Sequence, residues 1–122
     1  MQTLNILTEY SSPWHVGVTV NRKFKFFTLT NKIFINEAEE INSVEIYFLG
    51  KNYKTDPDKF CRLVSIEYNK LILPELFTIA KFDTDNPDCP VVNHCDYINM
   101  NGVWSIQLTK DTVKNILKSK VT

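Results

Sequence analysis

The chain has 122 residues, of which 43% are hydrophobic and 12% aromatic, and its formal net charge is zero. This length fits a single domain over residues 1–122, and this hydrophobic content excludes an intrinsically disordered chain. The balanced charge argues against a general nucleic-acid coat, because binding to phosphates requires a basic surplus that releases counterions.

The N-terminal segment and the cysteines bear on the compartment in which the protein works. Met1 to Tyr10 contains no basic region and no continuous apolar run, so no secretory signal is visible, and no span is long enough to cross a bilayer. Cys61, Cys89 and Cys95 are an odd set that matches no disulfide framework. We therefore expect a cytoplasmic protein. Twelve lysines against two arginines indicate an AT-rich gene, typical of a bacterium or phage.

Short strands dominate the first part of the chain. Thr3 to Thr8 is a mixed strand candidate. His15 to Val20 alternates valines with small or polar residues, which is the period of a half-buried strand. Asn21-Arg22 predicts a turn into a further strand over Lys23 to Thr30.

The strand over Lys23 to Thr30 changes phase along its length. We expect Phe24 and Phe26 to point into the core, whereas Phe27 and Leu29 fall on the opposite phase. Such a slip indicates a β-bulge, or a strand buried on both faces at its far end. Lysines interleaved with aromatic residues are also typical of sheets that bind RNA, but an amphipathic strand gives the same pattern, and the core interpretation is favoured.

Two segments leave the choice between helix and strand open. Glu37 to Leu49 begins after an asparagine that could cap a helix, although its β-branched and aromatic residues favour a strand over Ser43 to Leu49. Glu75 to Phe82 has no periodicity that decides between the two. Between these segments, Asn69-Lys70 predicts the turn of a hairpin that Pro74 ends.

The C-terminal part contains the clearest local signals. Asn101-Gly102 supplies the two positive φ angles of a type I′ turn and so predicts a two-residue hairpin, with Tyr97 and Trp104 on one face. Thr109 then caps a C-terminal amphipathic helix. The apolar face of this helix comprises Val113, Ile116, Leu117 and Val121. The predicted fold class is α+β: a β-dominant antiparallel sheet or small sandwich with a C-terminal amphipathic helix.

Side chains capable of chemistry are concentrated in one segment, Asp83 to Tyr97, which we call the acidic loop. Pro87 and Pro90 remove backbone donors and disfavour a helix, so the segment is expected to be an ordered surface loop. Surface loops on a rigid scaffold often carry function. Its acidic residues are Asp83, Asp85, Asp88 and Asp96.

The acidic loop also contains side chains that could bind a metal. Cys89, His94 and Cys95 supply the thiolate and imidazole ligands that zinc accepts, which makes a metal-stabilised structural module one alternative. The spacing is poor, because no Cys-x-x-Cys pair is present and adjacent residues do not easily face one tetrahedral centre. No metal and no cofactor are therefore expected.

Histidines provide a second alternative. His15 and His94, the two histidines of the chain, could act as general acid and base in a small metal-independent nuclease or other hydrolase. No local motif fixes either residue in such a role, so no catalytic residue is assigned and no enzyme is expected.

The leading hypothesis assigns the acidic loop to protein binding. Charged residues that steer a partner, beside aromatic residues that anchor it, are the ingredients of a preorganised interface. The predicted contact residues are Asp83, Asp85, Asp88, Asp96, Tyr97 and Trp104. The predicted function is a non-enzymatic inhibitor or immunity-type protein, in which this loop neutralises a partner such as a nuclease toxin with a basic active site.

Overall fold

The structure, a computed structural model, describes residues 2–121, and describes side chains for residues 2–118. The strands are β1 (Gln2–Tyr10), β2 (His15–Val20), β3 (Lys23–Leu29), β4 (Ile33–Glu37), β5 (Ser43–Leu49), β6 (Cys61–Tyr68), β7 (Leu71–Ile72), β8 (Lys81–Thr84), β9 (Val92–Asn93), β10 (Tyr97–Ile98) and β11 (Gly102–Gln107). Two 3₁₀ helices, Thr30–Lys32 and Pro74–Ile79, and the helix α1 (Lys110–Val121) complete the fold. Within these described residues, no helix is long and apolar enough to span a membrane.

The strands form two antiparallel sheets. In sheet A the order is β4, β1, β6, and the short strands β7 and β10 both pair with β6. In sheet B the order is β3, β2, β5, β11, β8, β9. Buried side chains from both sheets form one apolar core, as in a small sandwich. The prediction of a β-rich antiparallel fold with a C-terminal helix is confirmed at this level.

Alternation of side chains in three central strands of sheet B builds one side of the core. The buried residues are Val16, Val18 and Val20 of β2, Val44, Ile46 and Phe48 of β5, and Trp104 and Ile106 of β11. Each such side chain contributes roughly 1.5–3 kcal/mol when it leaves water. The intervening residues of the same strands therefore lie on the opposite, outer face of sheet B.

Two predicted turns are present and have the expected backbone. Asn21 and Arg22 have φ angles of 52° and 66°, and Asn69 and Lys70 have φ angles of 48° and 70°. Two consecutive positive φ angles in a two-residue connection are typical of type I′ turns, whose twist matches that of the flanking strands. The hairpins β2–β3 and β6–β7 are therefore encoded locally.

The predicted bulge in β3 is confirmed, and it changes which residues face the core. The β2–β3 register places Val18 opposite Phe26 but Thr19 opposite Phe24, so Lys25 is the extra residue. Its ammonium lies 3.2 Å from a carboxylate oxygen of Glu37, an ion pair that connects the edges of the two sheets. Because the bulge inverts the phase, Phe24 lies on the outer face, and the prediction that it points into the core is wrong.

The ambiguous segments and the C-terminal helix are now assigned. Ser43–Leu49 is strand, whereas Pro74–Ile79 is a 3₁₀ helix that precedes β8. Thr109 caps α1 as predicted, because its Oγ1 accepts a hydrogen bond from the backbone N–H of Thr112 at 3.2 Å. Val113, Ile116 and Leu117 pack against the core, whereas the side chain of Val121 lies outside the described residues.

The predicted Asn101-Gly102 hairpin is wrong. β10 belongs to sheet A and β11 to sheet B, so the two segments do not pair with each other. Gly102 pairs with Phe48 on one side and Thr84 on the other, and a Cβ on it would collide with the carbonyl oxygen of Asp83. The glycine therefore serves close strand packing rather than a turn.

Candidate functional site

The acidic residues of the acidic loop do not form one compact group. Asp83 is part of β8 on the outer face of sheet B. The Asp85 carboxylate accepts a hydrogen bond of 3.0 Å from the hydroxyl of Tyr53, and Asp96 precedes β10 of sheet A, where its carbonyl accepts from the Leu63 N–H at 2.7 Å. Asp83 and Asp85 therefore lie in or beside sheet B, whereas Asp96 lies beside sheet A.

The two predicted aromatic anchors lie in different surroundings, one in the core and one at the surface. Trp104 is completely buried, and its indole Nε1–H donates a 3.0 Å hydrogen bond to the carbonyl oxygen of Cys95. Tyr97 is 50% exposed and stacks on Phe60 with ring centroids 5.8 Å apart. The prediction that Trp104 contacts a partner is therefore wrong, since a core side chain cannot reach one.

The histidines do not form an acid–base pair. His15 begins β2, whereas His94 directly follows β9, four strands away in sheet B. With neighbouring strands about 4.8 Å apart, the four strand intervals alone place about 19 Å of sheet between the two residues. General acid and base catalysis requires both groups within hydrogen-bond reach of one substrate, so the hydrolase alternative has no geometric basis.

The residues considered as candidate metal ligands do not form a metal site. Cys95 is buried, and its thiol donates to the carbonyl oxygen of Tyr97 at 3.3 Å, whereas His94 is exposed. Burial raises the pKa of the Cys95 thiol, which disfavours the thiolate that a metal needs. Over the described residues, no group of three or more His, Cys, Asp or Glu side chains could hold a metal ion.

A different surface brings side chains together in register. On the outer face of sheet B, a middle row crosses five strands through successive cross-strand pairs. This row consists of Phe27, Gly17, Tyr47, Val103 and Asp83. The row beside it consists of Phe24, Thr19, Glu45, Ser105 and Lys81. Directly opposed residues share a face of the sheet, so both rows lie together on the outer face, where Phe24 and Phe27 are exposed whereas Gly17 and Thr19 are buried.

Three aromatic side chains at one end of these rows form what we call the aromatic platform: Phe24, Phe27 and Tyr47. Phe24 and Phe27 are 55% and 71% exposed, and their ring centroids lie 4.7 Å apart at an interplanar angle of 55°. With Gly17, Thr19 and Leu49, the platform lines a depression of ≈ 360 Å³. Large apolar side chains clustered on a soluble surface mark an interaction site.

Gly17 allows the platform to lie close to the sheet. A Cβ at this position would be 3.2 Å from Cε1 of Phe27 and 3.6 Å from Cε2 of Phe24. The Phe27 ring therefore occupies the space above the glycine backbone, in the neighbouring strand. A side chain at position 17 would lift the ring and disturb the shape of the depression.

Polar atoms adjoin the aromatic platform. The Tyr47 hydroxyl donates a 3.1 Å hydrogen bond to Oε2 of Glu45, the next outward-facing residue on β5. This bond and burial raise the pKa of Tyr47, so the phenol stays protonated at neutral pH. The Thr19 side chain lies opposite Glu45 on the neighbouring strand. The depression thus combines aromatic faces with hydroxyl and carboxylate groups at its edge.

The sequence contained one signal for this surface. The phase slip between Phe24 and Phe27 indicated a bulge, and a bulge places residues three apart on the same face of a strand. Tyr47 and Gly17 carried no comparable signal, because their neighbours across the sheet are set by the long-range pairing of β2 with β5.

Comparison with known proteins adds a likeness of fold. No protein-family model and no characterised protein sequence matches the chain. Two solved structures of vCBM60 are similar: the selenomethionine form, described as a calcium-dependent carbohydrate-binding module, and the complex with galactobiose. The first has a TM-score of 0.62 and 11% identity over 88% of this chain and 91% of that one. The second has a TM-score of 0.63 and 9% identity over 88% and 98%.

Calcium does not fit the acidic side chains of the described residues. Calcium takes six to eight oxygen ligands, usually with several carboxylates. The described residues provide no cluster of three or more carboxylate, imidazole or thiol side chains that could hold a metal ion, and one oxygen of the Asp85 carboxylate accepts a hydrogen bond from Tyr53. No step of binding is therefore assigned to a metal.

The comparison and the geometry together correct the functional prediction. The toxin inhibitor or immunity-type protein was expected to use the acidic loop with Trp104 as an anchor. The fold is instead that of solved carbohydrate-binding modules, and Trp104 belongs to the core. The prediction of an inhibitor with a protein toxin as its partner is wrong.

Proposed function

We propose that this chain is a non-catalytic carbohydrate-binding module that holds an oligosaccharide on the outer face of sheet B. The observation that supports the proposal is the aromatic platform, whose Phe24 and Phe27 rings are exposed side by side on the outer face of sheet B. The likeness to carbohydrate-binding modules is one of fold, and folds host many functions, so the site itself carries the argument.

The chemistry of a sugar matches this surface. One side of a pyranose ring presents C–H groups that carry partial positive charge, and the face of an aromatic ring is negative. Stacking of a sugar on Phe27 removes apolar surface of both from water, and the tilt of Phe24 allows the pair to cradle one unit. Hydroxyl groups at the rim of the sugar can then donate to Glu45 and accept from Thr19.

The proposal is tested by measuring binding to oligosaccharides. Calorimetric titration with neutral galacto-, xylo-, manno- and gluco-oligosaccharides, galactobiose among them, is expected to identify a ligand of the native chain. Phe27→Ala should then weaken the affinity about tenfold, which corresponds to about 1.4 kcal/mol. The melting temperature should change little, because exposed side chains contribute little to stability.

A matched substitution on the other sheet serves as the control. Phe34 of β4 is 51% exposed on the outer face of sheet A, close to the value for Phe24, and lies outside the aromatic platform. Phe34→Ala should bind the same oligosaccharide with unchanged affinity. Equal losses in Phe27→Ala and Phe34→Ala, or the lack of binding to every sugar in the panel, would contradict the proposal.

Two further measurements test rival explanations. A chelator should leave the affinity unchanged, since the described residues do not form a calcium site. Analytical ultracentrifugation should show a monomer at the concentrations used for titration. A dimer that dissociates in Phe27→Ala would instead assign the aromatic platform to contact between two copies of the chain.

A further inference from the structure

The aromatic platform adjoins further concavities on the same side of the molecule. A second concavity of ≈ 390 Å³ shares Tyr47 and Leu49 with it and extends to Asp83 and Asp85. A third, of ≈ 580 Å³, shares Gly50 with the second and is lined by Tyr53. Each of the three concavities therefore adjoins the next through shared lining residues.

The middle row gives this surface its length. From Phe27 on β3 to Asp83 on β8 the row crosses four strand intervals. At about 4.8 Å per interval the row is about 19 Å long. Val103 and Tyr47 lie between its ends, so apolar surface continues from the platform toward the aspartates. A ligand that followed the row would contact residues on five strands.

A second aromatic ring lies at the far end and is held in place from several sides. The Tyr53 hydroxyl donates to Asp85 at 3.0 Å and accepts from the backbone N–H of Asn101 at 2.9 Å. The Lys51 ammonium lies 5.7 Å from the ring centroid. The ring nevertheless remains 45% exposed. A ring that is fixed and exposed provides a stacking surface, because little further side-chain entropy is lost when a ligand binds to it.

Lys51 and Asn101 fix the segment that carries Tyr53. The Lys51 ammonium donates to the carbonyl oxygens of Lys59 at 3.0 Å and Asn99 at 2.5 Å. The Asn101 side chain binds the backbone of Lys51 twice, accepting from its N–H at 3.0 Å and donating to its carbonyl at 2.9 Å. Four hydrogen bonds therefore connect Lys51, two residues before Tyr53, to Lys59, Asn99 and Asn101.

We infer that the ligand is a linear oligosaccharide of several units that spans the outer face of sheet B from the aromatic platform to Tyr53, an inference that rests on the proposed function. The platform stacks one sugar and Tyr53 another. Between them, Asp83 accepts hydrogen bonds from sugar hydroxyl groups. A disaccharide fills only one end of this surface, so the affinity increases with chain length until the ligand reaches Tyr53.

The test is a length series from two to six units of whichever oligosaccharide the panel identifies, measured by calorimetric titration. The native chain should bind the six-unit oligosaccharide at least about tenfold more tightly than the disaccharide, since a second stacked ring is worth about as much as the first. In Tyr53→Ala the ratio of the two affinities should fall to about one. In Tyr53→Phe, which keeps the ring, the ratio should exceed that of Tyr53→Ala.

Tyr97→Ala is the matched control, because Tyr97 is exposed to a similar extent and lies on sheet A. In Tyr97→Ala the ratio of the affinities for the six-unit ligand and the disaccharide should equal that of the native chain. The melting temperature of Tyr53→Ala is measured beside the ratio, and Tyr53→Phe tests the same ring contact if the alanine variant does not fold. Equal affinities for the disaccharide and the six-unit ligand in the native chain would overturn the inference while leaving the platform intact. No binding of any length would overturn both.

Discussion

The acidic loop and the outer face of sheet B differ in how their composition relates to their geometry. The loop concentrates aspartates, cysteines and a histidine in fifteen consecutive positions, yet the structure divides them between two sheets and the core. The part of the outer face around the aromatic platform is built from phenylalanine, glycine, tyrosine and threonine. These residues lie on the three strands β3, β2 and β5, and strand pairing brings them together.

The difference shows that proximity in sequence is a poor guide to a site in an antiparallel sandwich. Adjacent residues in a strand point to opposite faces, so a cluster in sequence is divided by the fold. Residues far apart in sequence, such as Thr19 and Glu45, are directly opposed when their strands pair. The chemistry of the surface is therefore set by strand register.

The largest expected effect tests whether Trp104 belongs to the core. Trp104→Ala should lower the free energy of unfolding by about 3–5 kcal/mol, because it leaves a large cavity and removes the donor to Cys95. Tyr97→Ala should cost less than about 1 kcal/mol. Urea denaturation followed by tryptophan or far-ultraviolet signals measures both. Similar small losses of unfolding free energy in the two variants would show that Trp104 is not a core residue.

Two buried thiols, Cys61 of β6 and Cys95 of the acidic loop, predict that the fold is less stable at alkaline pH. Burial raises the pKa of Cys61, which pairs with Ile98 of β10, to about 12 from a usual value of 9.0. The unfolded chain then loses this proton at lower pH than the folded chain does. The stabilising contribution of Cys61 is complete below pH 9.0 and is lost as pH rises toward about 12.

This effect is measurable by urea denaturation at two pH values. Between about pH 8.5 and 10, the free energy of unfolding should fall by about 1 kcal/mol because of Cys61, and burial of Cys95 acts in the same direction. Cys61→Ala should show a smaller decrease over the same interval, whatever its stability at neutral pH. An identical decrease in this variant and in the native chain would show that the thiol is not desolvated.

Much of the fold followed from local patterns, and the exceptions are instructive. Alternation in β2 and β5, the turns at Asn21-Arg22 and Asn69-Lys70, and the cap at Thr109 depend on neighbouring residues. The prediction of a hairpin at Asn101-Gly102 is wrong because Gly102 is required between two strands and the Asn101 amide binds Lys51. A dipeptide that fits a turn also fits these tertiary roles.

The candidate site was far less predictable than the fold. Phe24 and Phe27 share a face only because Lys25 is bulged, and the position of the bulge depends on the pairing with β2. Tyr47 joins them through the pairing of β5 with β2, whose residues are nearly thirty positions apart. Sequence patterns identify apolar residues but do not state which strands will lie side by side, so this surface could not be assembled from one sequence.

A smaller effect tests whether Asp85 of the acidic loop supports Tyr53 rather than a partner. Tyr53→Phe should cost about 0.5–1 kcal/mol, because the Asp85 carboxylate and the Asn101 N–H each lose a hydrogen-bond partner near solvent. Combining Tyr53→Phe with Asp85→Ala should give less than the sum of the single losses. Asp88→Ala, an exposed carboxylate in the same loop, should add to Tyr53→Phe without such coupling. Full additivity with Asp85→Ala would show that this contact is not made in solution.

The smallest expected effect tests the platform through Gly17, whose backbone lies beneath the Phe27 ring. Gly17→Ala should weaken oligosaccharide binding about threefold, because its Cβ, 3.2 Å from Phe27, moves the ring. Stability should be equal or up to about 1 kcal/mol higher, since alanine loses less backbone entropy than glycine in a strand. In a Phe27→Ala background the ring is gone, so Gly17→Ala should no longer change the affinity. A threefold loss of affinity in both backgrounds would show that Gly17 acts on the ligand directly. No loss in either background would show that the position of the Phe27 ring does not affect binding.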